Sequence, residues 1–269
     1  MMPLDPGVQI FEPTQRAMIC WNGAEEILLL STDVHASEST MVLEVLPVPS
    51  EPAVKKGDLE TFRKATELIN WSLLAADGSK GRTLSEGVVV PSAEVTFHKR
   101  IGCHDISVTH LLDGDGFVAW VVQYLQTLGI EKDIVSQAMR GLIEQYIKEG
   151  FEWFVFDVVT VSEEIATNEP IQYRFKTDRL FYPLKITQTA AGSTSIELLI
   201  LTPRLLKMFP ALPLSRVHLK HDPVTIHAGE LKEIDEDMYG MLEGNRELKL
   251  RIWSIEGDLG SFVKDLIAY

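Results

Sequence analysis

The chain has 269 residues, and 45% of them are hydrophobic, which is enough for a folded core and excludes an intrinsically disordered protein. Its formal net charge of −14 argues against a non-specific nucleic-acid binder, because no surface dense in Lys and Arg would offset repulsion from phosphates. No apolar run approaches the roughly 18 residues of a membrane-spanning helix. The first residues lack the layout of a secretion signal, but a mature exported protein would look the same, so the compartment is left open.

The first predicted elements are strands. Two apolar runs within residues 16–31 are separated by Asn22 and Gly23, and this spacing predicts a hairpin with a type I′ turn. Residues 42–48 predict another strand, which ends in a proline-rich segment because proline removes backbone donors. Residues 58–71 then predict an amphipathic helix.

The most informative stretch begins at the Asp-Gly-Asp-Gly sequence of residues 113–116. Apolar positions recur at helical spacing over residues 117–128, so a carboxylate at the entry is expected to accept hydrogen bonds from unpaired backbone N–H groups. Residues 133–149 predict a second amphipathic helix, and Gly150 is expected to close it.

The next run, residues 151–161, is rich in aromatic and β-branched residues and predicts a central strand covered on both faces, with the helices on one of them. Further strands follow with short links, which predicts antiparallel pairing between consecutive strands. These strands are expected at residues 171–175, 180–187, 195–201, 216–219, 224–226 and 248–255. Residues 260–267 are expected to finish the chain as a helix.

Together, these patterns predict an α+β protein with a mostly antiparallel, mixed sheet packed by about three amphipathic helices. The helices are those near residues 58–71, 117–128 and 133–149. We expect a single compact unit over residues 1–269, with a β-rich C-terminal extension at residues 191–269. No internal repeat indicates a solenoid or a propeller.

Three histidines, His218, His221 and His227, lie close together in the sequence beside Asp222. In an extended segment His218 and His221 fall on opposite faces, and Pro223 breaks any helix that would bring ligands together. No spacing here matches a zinc site. We therefore predict surface or loop histidines instead of a metal site.

An active site would have to be built from Cys103, His104, His110, Asp113 and Asp115. Neighbours in a strand point to opposite faces, so a direct interaction between the Cys103 thiol and the His104 imidazole is not expected. The Asp-Gly-Asp-Gly sequence resembles the start of a calcium loop but lacks the third oxygen ligand and the closing glutamate, so helix capping is favoured. No catalytic residue, metal ligand or cofactor is predicted.

Two observations leave alternatives open. Cys20 and Cys103 lie in apolar surroundings, which is typical of small buried residues, while a disulfide between them is the alternative in an oxidising compartment. Asp157 stands inside the most apolar strand. Such a conflict sometimes marks function, although a carboxylate at a sheet edge or one that accepts backbone hydrogen bonds is the commoner reason.

Several segments occur in an order and spacing that match a known family. They are residues 15–19 before Trp21, Asn22 and Gly23, then residues 45–52, residues 113–116 with Trp120, residues 146–150 before the aromatic strand, and residues 175–184. In these segments the chain resembles domain-of-unknown-function family 2330, over a core of roughly residues 8–190. The resemblance implies a bacterial or archaeal protein, commonly exported, with no established activity or catalytic residues. The chain departs from it by lacking an export signal and a tryptophan in the strand at residues 43–46.

The strongest sequence features all serve packing and turns. We therefore predict a non-catalytic extracytoplasmic or surface-associated binding or structural module, with a protein or envelope component as its partner and no nucleic acid. The alternative is a hydrolase or metal-dependent enzyme with a site near residues 103–115. A deep polar pocket that brings three or more of the five candidate side chains together would favour the enzyme.

Overall fold

The computed structural model describes residues 1–5, 7–76, 98–127, 135–206 and 216–269. Within these ranges the strands form three sheets and the chain forms five α-helices. No helix in the described ranges has the length and apolar character needed to cross a membrane. The α+β class is therefore as predicted, while the number of helices is not.

A five-stranded sheet is formed by two early strands and three later ones. In spatial order its strands are β1 (Met2–Pro3), β4 (Thr40–Val48), β8 (Trp153–Val161), β7 (His104–His110) and β6 (His98–Ile101). The aromatic strand β8 lies at the centre, antiparallel to β4 on one side and to β7 on the other. The sequence predicted this central position from the absence of a polar face.

A nine-stranded sheet combines both ends of the chain. Its order is β13 (Val217–Leu219), β15 (Glu247–Asp258), β12 (Ser193–Thr202), β2 (Ile10–Trp21), β3 (Glu25–Ala36), β10 (Ile171–Lys176) and β5 (Ala53–Lys56), with β14 (Val224–His227) beside β15 and β9 (Ala166–Thr167) beside β3. Strands β2 and β12 pair in parallel, and the other pairs of this sheet are antiparallel. A third, small sheet pairs β11 (Leu180–Tyr182) with β16 (Leu266–Ala268).

The two larger sheets pack face to face. Alternate residues of a strand point to the same side, so each sheet has one face toward the other sheet and one face away from it. Val155 of β8 and Ala17 of β2 belong to one buried cluster between the sheets. Phe154 and Phe156 point to the opposite side of β8 and join a second cluster with residues from two helices. Each sheet therefore has an inner face against the other sheet and an outer face against helices.

The helices are α1 (Leu59–Ala76), α2 (Gly114–Thr127), α3 (Gln137–Lys148), α4 (Ala228–Lys232) and α5 (Glu236–Leu242). Helices α2 and α3 cover the outer face of the five-stranded sheet, where Phe117 and Tyr146 pack near Phe156 and Phe154. Helices α1, α4 and α5 cover the outer face of the nine-stranded sheet. The result is four layers, with helices outside and sheets inside.

The prediction of about three helices is wrong for the described residues, which contain five. Helix α4 has five residues and α5 has seven, so neither repeats an apolar position over enough turns to be recognised. The α5 start does carry a local signal, because the Asp235 carboxylate accepts hydrogen bonds from the backbone N–H groups of Asp237 and Met238.

Three further predictions are wrong: the pairing of consecutive strands, the end of one strand and a C-terminal helix. Consecutive strands β8, β10, β11 and β12 do not pair with one another, and each finds its partners elsewhere in the chain. The strand predicted at residues 180–187 ends at Tyr182 and is followed by a 3-10 turn at Lys185–Thr189. Residues 260–267 form no α-helix; a 3-10 turn at Leu259–Ser261 precedes β16.

The first hairpin is confirmed, but its turn is not of type I′. That turn needs a positive φ at both central residues, and Gly23 has a φ of +101° while Asn22 does not have a positive value. Instead the Asn22 side-chain oxygen accepts hydrogen bonds from the N–H groups of Ala24 and Glu25. The turn is therefore held by a side chain.

The ends of the two central helices follow the predicted capping chemistry. The Asp113 carboxylate accepts a hydrogen bond from Gly116 N–H at 2.7 Å, at the start of α2. Residues 128–134 lie outside the described part, including the predicted start of α3, and within it Ser136 caps the helix through Met139 N–H. Gly150, with a φ of +92°, ends α3, and Phe151 N–H donates to Tyr146 O across the last turn.

Candidate functional site

The five residues proposed for an active site are mostly separated in the fold. His110 contacts Glu152 through Nε2 at 3.0 Å and stacks on Trp153. Asp113 caps α2, and the exposed Asp115 pairs with Arg140 of α3. Only Cys103 and His104 lie together, so the structure does not assemble three of the five in one pocket.

The C-terminal histidines do not converge on a metal site either. His221 Nδ1 contacts the carbonyl oxygen of Asp222, and His227 caps α4, where its N–H donates to Glu230. His218 lies in β13. In the described ranges no group of three or more His, Cys, Asp or Glu side chains has an arrangement that could hold a metal ion.

His104 is placed by a tight hairpin between β6 and β7. Ile101 pairs with His104, which leaves Gly102 and Cys103 as a two-residue turn. Gly102 has a φ of +59°, and a positive φ at the first central residue is the geometry of a type II′ turn. His104 therefore begins β7, two residues before the buried Ile106, and its side chain enters the space between the sheets.

Both ring nitrogens of the buried His104 face acceptors. Nδ1 lies 2.5 Å from the carboxylate Oδ2 of Asp157, and Nε2 lies 2.9 Å from the carbonyl oxygen of Glu169. A carbonyl oxygen can only accept, so Nε2 carries a hydrogen, and a further proton lies between Nδ1 and Asp157. Burial alone would lower the pKa of His104, but its hydrogen bonds with Asp157 and Cys103 raise that pKa to about 10.

Glu44 adds a second carboxyl group to this pair. Glu44 of β4 stands directly opposite Asp157 of β8 in the sheet register. Burial, followed by the negative charges of Asp157 and Glu12, raises the pKa of Glu44 to about 8, because two close carboxylates cannot both ionise easily without water. We call His104, Asp157 and Glu44 the carboxyl-imidazole cluster.

The carboxyl-imidazole cluster borders a small cavity between the two sheets. The cavity has a volume of about 60 Å³, and Tyr173 and Thr32 of the nine-stranded sheet border it together with Glu44 and Asp157. Glu44 Oε1 and Asp157 Oδ1 have no hydrogen-bond partner among the described residues. Since one water takes about 30 Å³, this space suits about two water molecules and no substrate.

The two cysteine thiols have different environments. Cys20 is buried in β2, where burial raises its pKa, while Cys103 is exposed and the His104 ring lowers its thiol pKa. No disulfide joins them, so both thiols are free. The expectation that both cysteines are buried holds for Cys20 and is wrong for Cys103, which lies in a turn. The Cys103 interaction with His104 was likewise not expected, because strand alternation does not apply across the turn.

A second, more open feature is a surface groove of about 730 Å³. It lies where the β2–β3 turn, the end of α3, the β10–β11 connection and β16 meet. Six of its residues define what we call the surface groove: Ala24, Glu149, Phe151, Lys176, Arg179 and Phe181. Ligand sites of small molecules usually have volumes in this range.

The sequence did not identify most of the residues of the carboxyl-imidazole cluster or of the surface groove. Asp157 gave a local signal, since a carboxylate inside an apolar strand calls for a partner, and Glu44 in β4 gave the same signal unnoticed. No sequence signal joins Lys176 and Phe151 in one groove, because Lys176 ends β10 while Phe151 lies between α3 and β8, and the two meet only through packing.

The sequence matches an uncharacterised family of bacterial proteins. The chain belongs to the DUF2330 family, described as an uncharacterized protein conserved in bacteria, and residues 1–211 match it. This confirms the family resemblance and extends it past residue 190.

Two solved structures resemble the fold at low sequence identity. The crystal structure of baculovirus P35 is 8% identical, covers 100% of this chain and 99% of its own, and has a TM-score of 0.45. A mutated baculovirus P35 after caspase cleavage is 9% identical, covers 96% of this chain and 99% of its own, and has a TM-score of 0.42. A comparison with curated proteins found no match.

Proposed function

We propose that this protein is a non-catalytic binding module and that its ligand lies in the surface groove. The groove itself is the observation that supports the proposal: it is large enough for a small organic ligand, and the partly exposed Phe151 and Ile267 provide an apolar surface. Charged groups of both signs stand beside these two side chains, which is the usual composition of a site that orients its ligand.

The alternative of an enzyme at residues 103–115 has less support. Cys103 and His104 are close, but His104 uses both ring nitrogens for Asp157 and the Glu169 carbonyl. The cavity beside Asp157 is too small for a substrate, and Asp157 is only 2% exposed. A nucleophile such as the Cys103 thiol needs a free base and space for a substrate. His104 is not a free base, and the cavity beside it gives too little space.

The proposal includes an extracytoplasmic or surface-associated location with a protein or envelope component nearby. Its support is the export that the family resemblance implies. Fractionation of native cells into cytoplasm, membrane and exported material, followed by immunodetection, tests it. Recovery of the protein only with the cytoplasm would contradict this part of the proposal.

Binding of the neutral fluorescent probe N-phenyl-1-naphthylamine tests the groove. We expect saturable binding by the wild-type protein and at least tenfold weaker binding by Ala24→Trp, because the larger side chain fills the groove. Ala53→Trp is the matched control, since Ala53 is also exposed but lies on the edge strand β5 outside the groove. Equal binding by both variants would place the probe elsewhere and contradict the proposal.

A further inference from the structure

Lys176 is an uncompensated positive charge at the wall of the surface groove. It is exposed at the end of β10, and within the described part of the chain its ammonium group has no hydrogen-bond or ion-pair partner. Three other exposed lysines of this acidic protein are paired: Lys55 with Asp237, Lys56 with Glu169 and Lys220 with Glu197. A free ammonium group beside an apolar surface is available to a ligand anion.

Arg179 adds a second cation to the same wall. Its Nε lies 3.3 Å from the carboxylate of the neighbouring Asp178, whose side chain is 86% exposed. Such an exposed pair contributes little and is easily exchanged. The terminal nitrogens of Arg179 have no described partner, so this edge of the guanidinium group can donate to an anion.

The acidic residue on the opposite side of the surface groove is already neutralised. One carboxylate oxygen of Glu149 lies 2.5 Å from Nζ of Lys185, a side chain only 4% exposed, and the other accepts from Gln145 at 3.1 Å. The same lysine lies 4.0 Å from the centre of the Tyr146 ring, which holds it in place. Asp178 also lines the groove, but it is paired with Arg179. With Glu149 paired to Lys185 as well, Lys176 is the remaining unpaired charge among these residues, in a chain whose formal charge is −14.

The apolar part of the groove is formed by Phe151 and by Ile267 of β16, both partly exposed. The Phe181 ring is 3% exposed and packs against Phe151, with 5.1 Å between the ring centres. A β-carbon at Gly150 would meet nothing within 4 Å, so the backbone at that end leaves open room. A planar apolar group fits against the exposed side of Phe151 with its polar end toward Lys176 and Arg179.

We propose that the ligand of this groove is a small amphipathic monoanion, with a flat apolar body and one carboxylate, sulfonate or similar group. The inference rests on the proposed function and adds the ligand class to it. The apolar body lies on Phe151 and Ile267, and the anionic group accepts hydrogen bonds from Lys176 and Arg179.

A matched pair of probes tests the charge requirement. The first is 8-anilinonaphthalene-1-sulfonate, and the second is N-phenyl-1-naphthylamine, which is the same ring system without the sulfonate. We expect the wild-type protein to bind the sulfonate about tenfold more tightly than the neutral probe, as one or two charge-assisted contacts allow. In Lys176→Gln this preference should fall about fivefold or more, while affinity for the neutral probe stays unchanged.

Lys64→Gln is the control, because Lys64 is a lysine of α1 with no described ion-pair partner and lies outside the groove. It should keep the preference for the sulfonate. If Ala24→Trp abolishes binding of both probes but Lys176→Gln keeps the full preference for the sulfonate, the proposed ligand class is wrong, while the groove is still a binding site. If Ala24→Trp affects neither probe, the proposed function fails as well.

Discussion

The carboxyl-imidazole cluster and the surface groove differ in the properties by which functional sites are usually found. The cluster has strongly shifted pKa values, with His104 at about 10 and Glu44 at about 8, but His104 and Asp157 are buried between the two sheets and the space beside them is small. The groove is open at the surface and has exposed charged groups, so a ligand can enter.

A shifted pKa is not by itself evidence of a functional site. Burial and close like charges shift a pKa wherever they occur, including in a purely structural core. A binding site needs access and free interacting groups. In this protein the cluster has the shifted pKa values and the groove has the access, so we expect substitutions in the cluster to change stability and substitutions in the groove to change binding.

Removing His104 should have the largest effect. His104→Ala leaves Asp157 and Glu44 facing each other in the protein interior without a donor, and we expect a loss of about 3–5 kcal/mol of unfolding free energy. His110→Ala is the matched control, since its pair with Glu152 is exposed and should contribute about 1 kcal/mol or less. Urea denaturation measures both. Similar losses in the two variants would mean that the cluster is not a coupled unit.

The stability of the protein should fall as the pH rises. Glu44 has a raised pKa of about 8 in the folded state, against 4.5 for the ordinary group. Below pH 4.5 both states are protonated, and between pH 4.5 and 8 only the unfolded state loses its proton, so the folded state becomes relatively less stable. His104 acts in the same direction between pH 6.5 and about 10.

Between pH 5 and pH 8 we expect the Glu44 contribution to be about 3 kcal/mol, which Glu44→Gln should remove from the measured pH slope. Urea denaturation at several pH values measures this slope. Glu163→Gln, a change at an exposed carboxylate, should leave the slope as it is. A slope that is the same in Glu44→Gln and the wild-type protein would show that Glu44 is ionised in the fold.

Gly102 and Gly150 both have a positive φ, but only Gly102 is crowded, so alanine substitutions at the two positions compare the cost of backbone strain with the added cost of crowding. At Gly102 a β-carbon would lie 1.7 Å from the Glu169 carboxylate, which is paired with Lys56, while at Gly150 it would meet nothing within 4 Å. We expect Gly150→Ala to cost about 1 kcal/mol from backbone strain alone and Gly102→Ala about 2 kcal/mol. Thermal unfolding compares them. An equal cost would mean that Glu169 moves away freely and does not restrain the hairpin beside the cluster.

The smallest effect is on thiol reactivity, without a change in stability. A thiol reagent should modify one thiol of the native protein, Cys103, and two after unfolding, because Cys20 is buried. The His104 ring lowers the Cys103 pKa, so His104→Gln should slow labelling of Cys103 a few-fold near neutral pH. Fewer than two reactive thiols in unreduced, unfolded protein would contradict the finding that both thiols are free, and none at all would indicate a disulfide between Cys20 and Cys103.

The parts of the fold that were predictable depend on neighbours in the sequence. The Asp113 cap, the end of α3 at Gly150 and the aromatic strand β8 each follow from residues within one or two turns. The pairing of β12 with β2 could not be found in this way, because its contacts join residues that are far apart in the chain. The short helix α4 was missed because five residues hold too little periodicity.

For the carboxyl-imidazole cluster, the sequence showed only that Asp157 is a charged residue inside an apolar strand. This position indicated that Asp157 has a polar partner, but strand alternation alone could not identify His104 or Glu44 as that partner. His110, Asp113 and Asp115 were natural candidates by sequence distance, yet the fold uses each for a local surface or capping contact.

The α+β class, the capped helices α2 and α3, the buried aromatic strand and the family follow from the sequence, because each depends on local pattern. The way in which the two sheets face each other depends on long-range packing, and so do both candidate regions. Packing buries His104 and Asp157 beside Glu44, and it brings Lys176, Arg179, Phe151 and Ile267 to one open groove. Burial and access cannot be read from single segments, because they are properties of the packed chain.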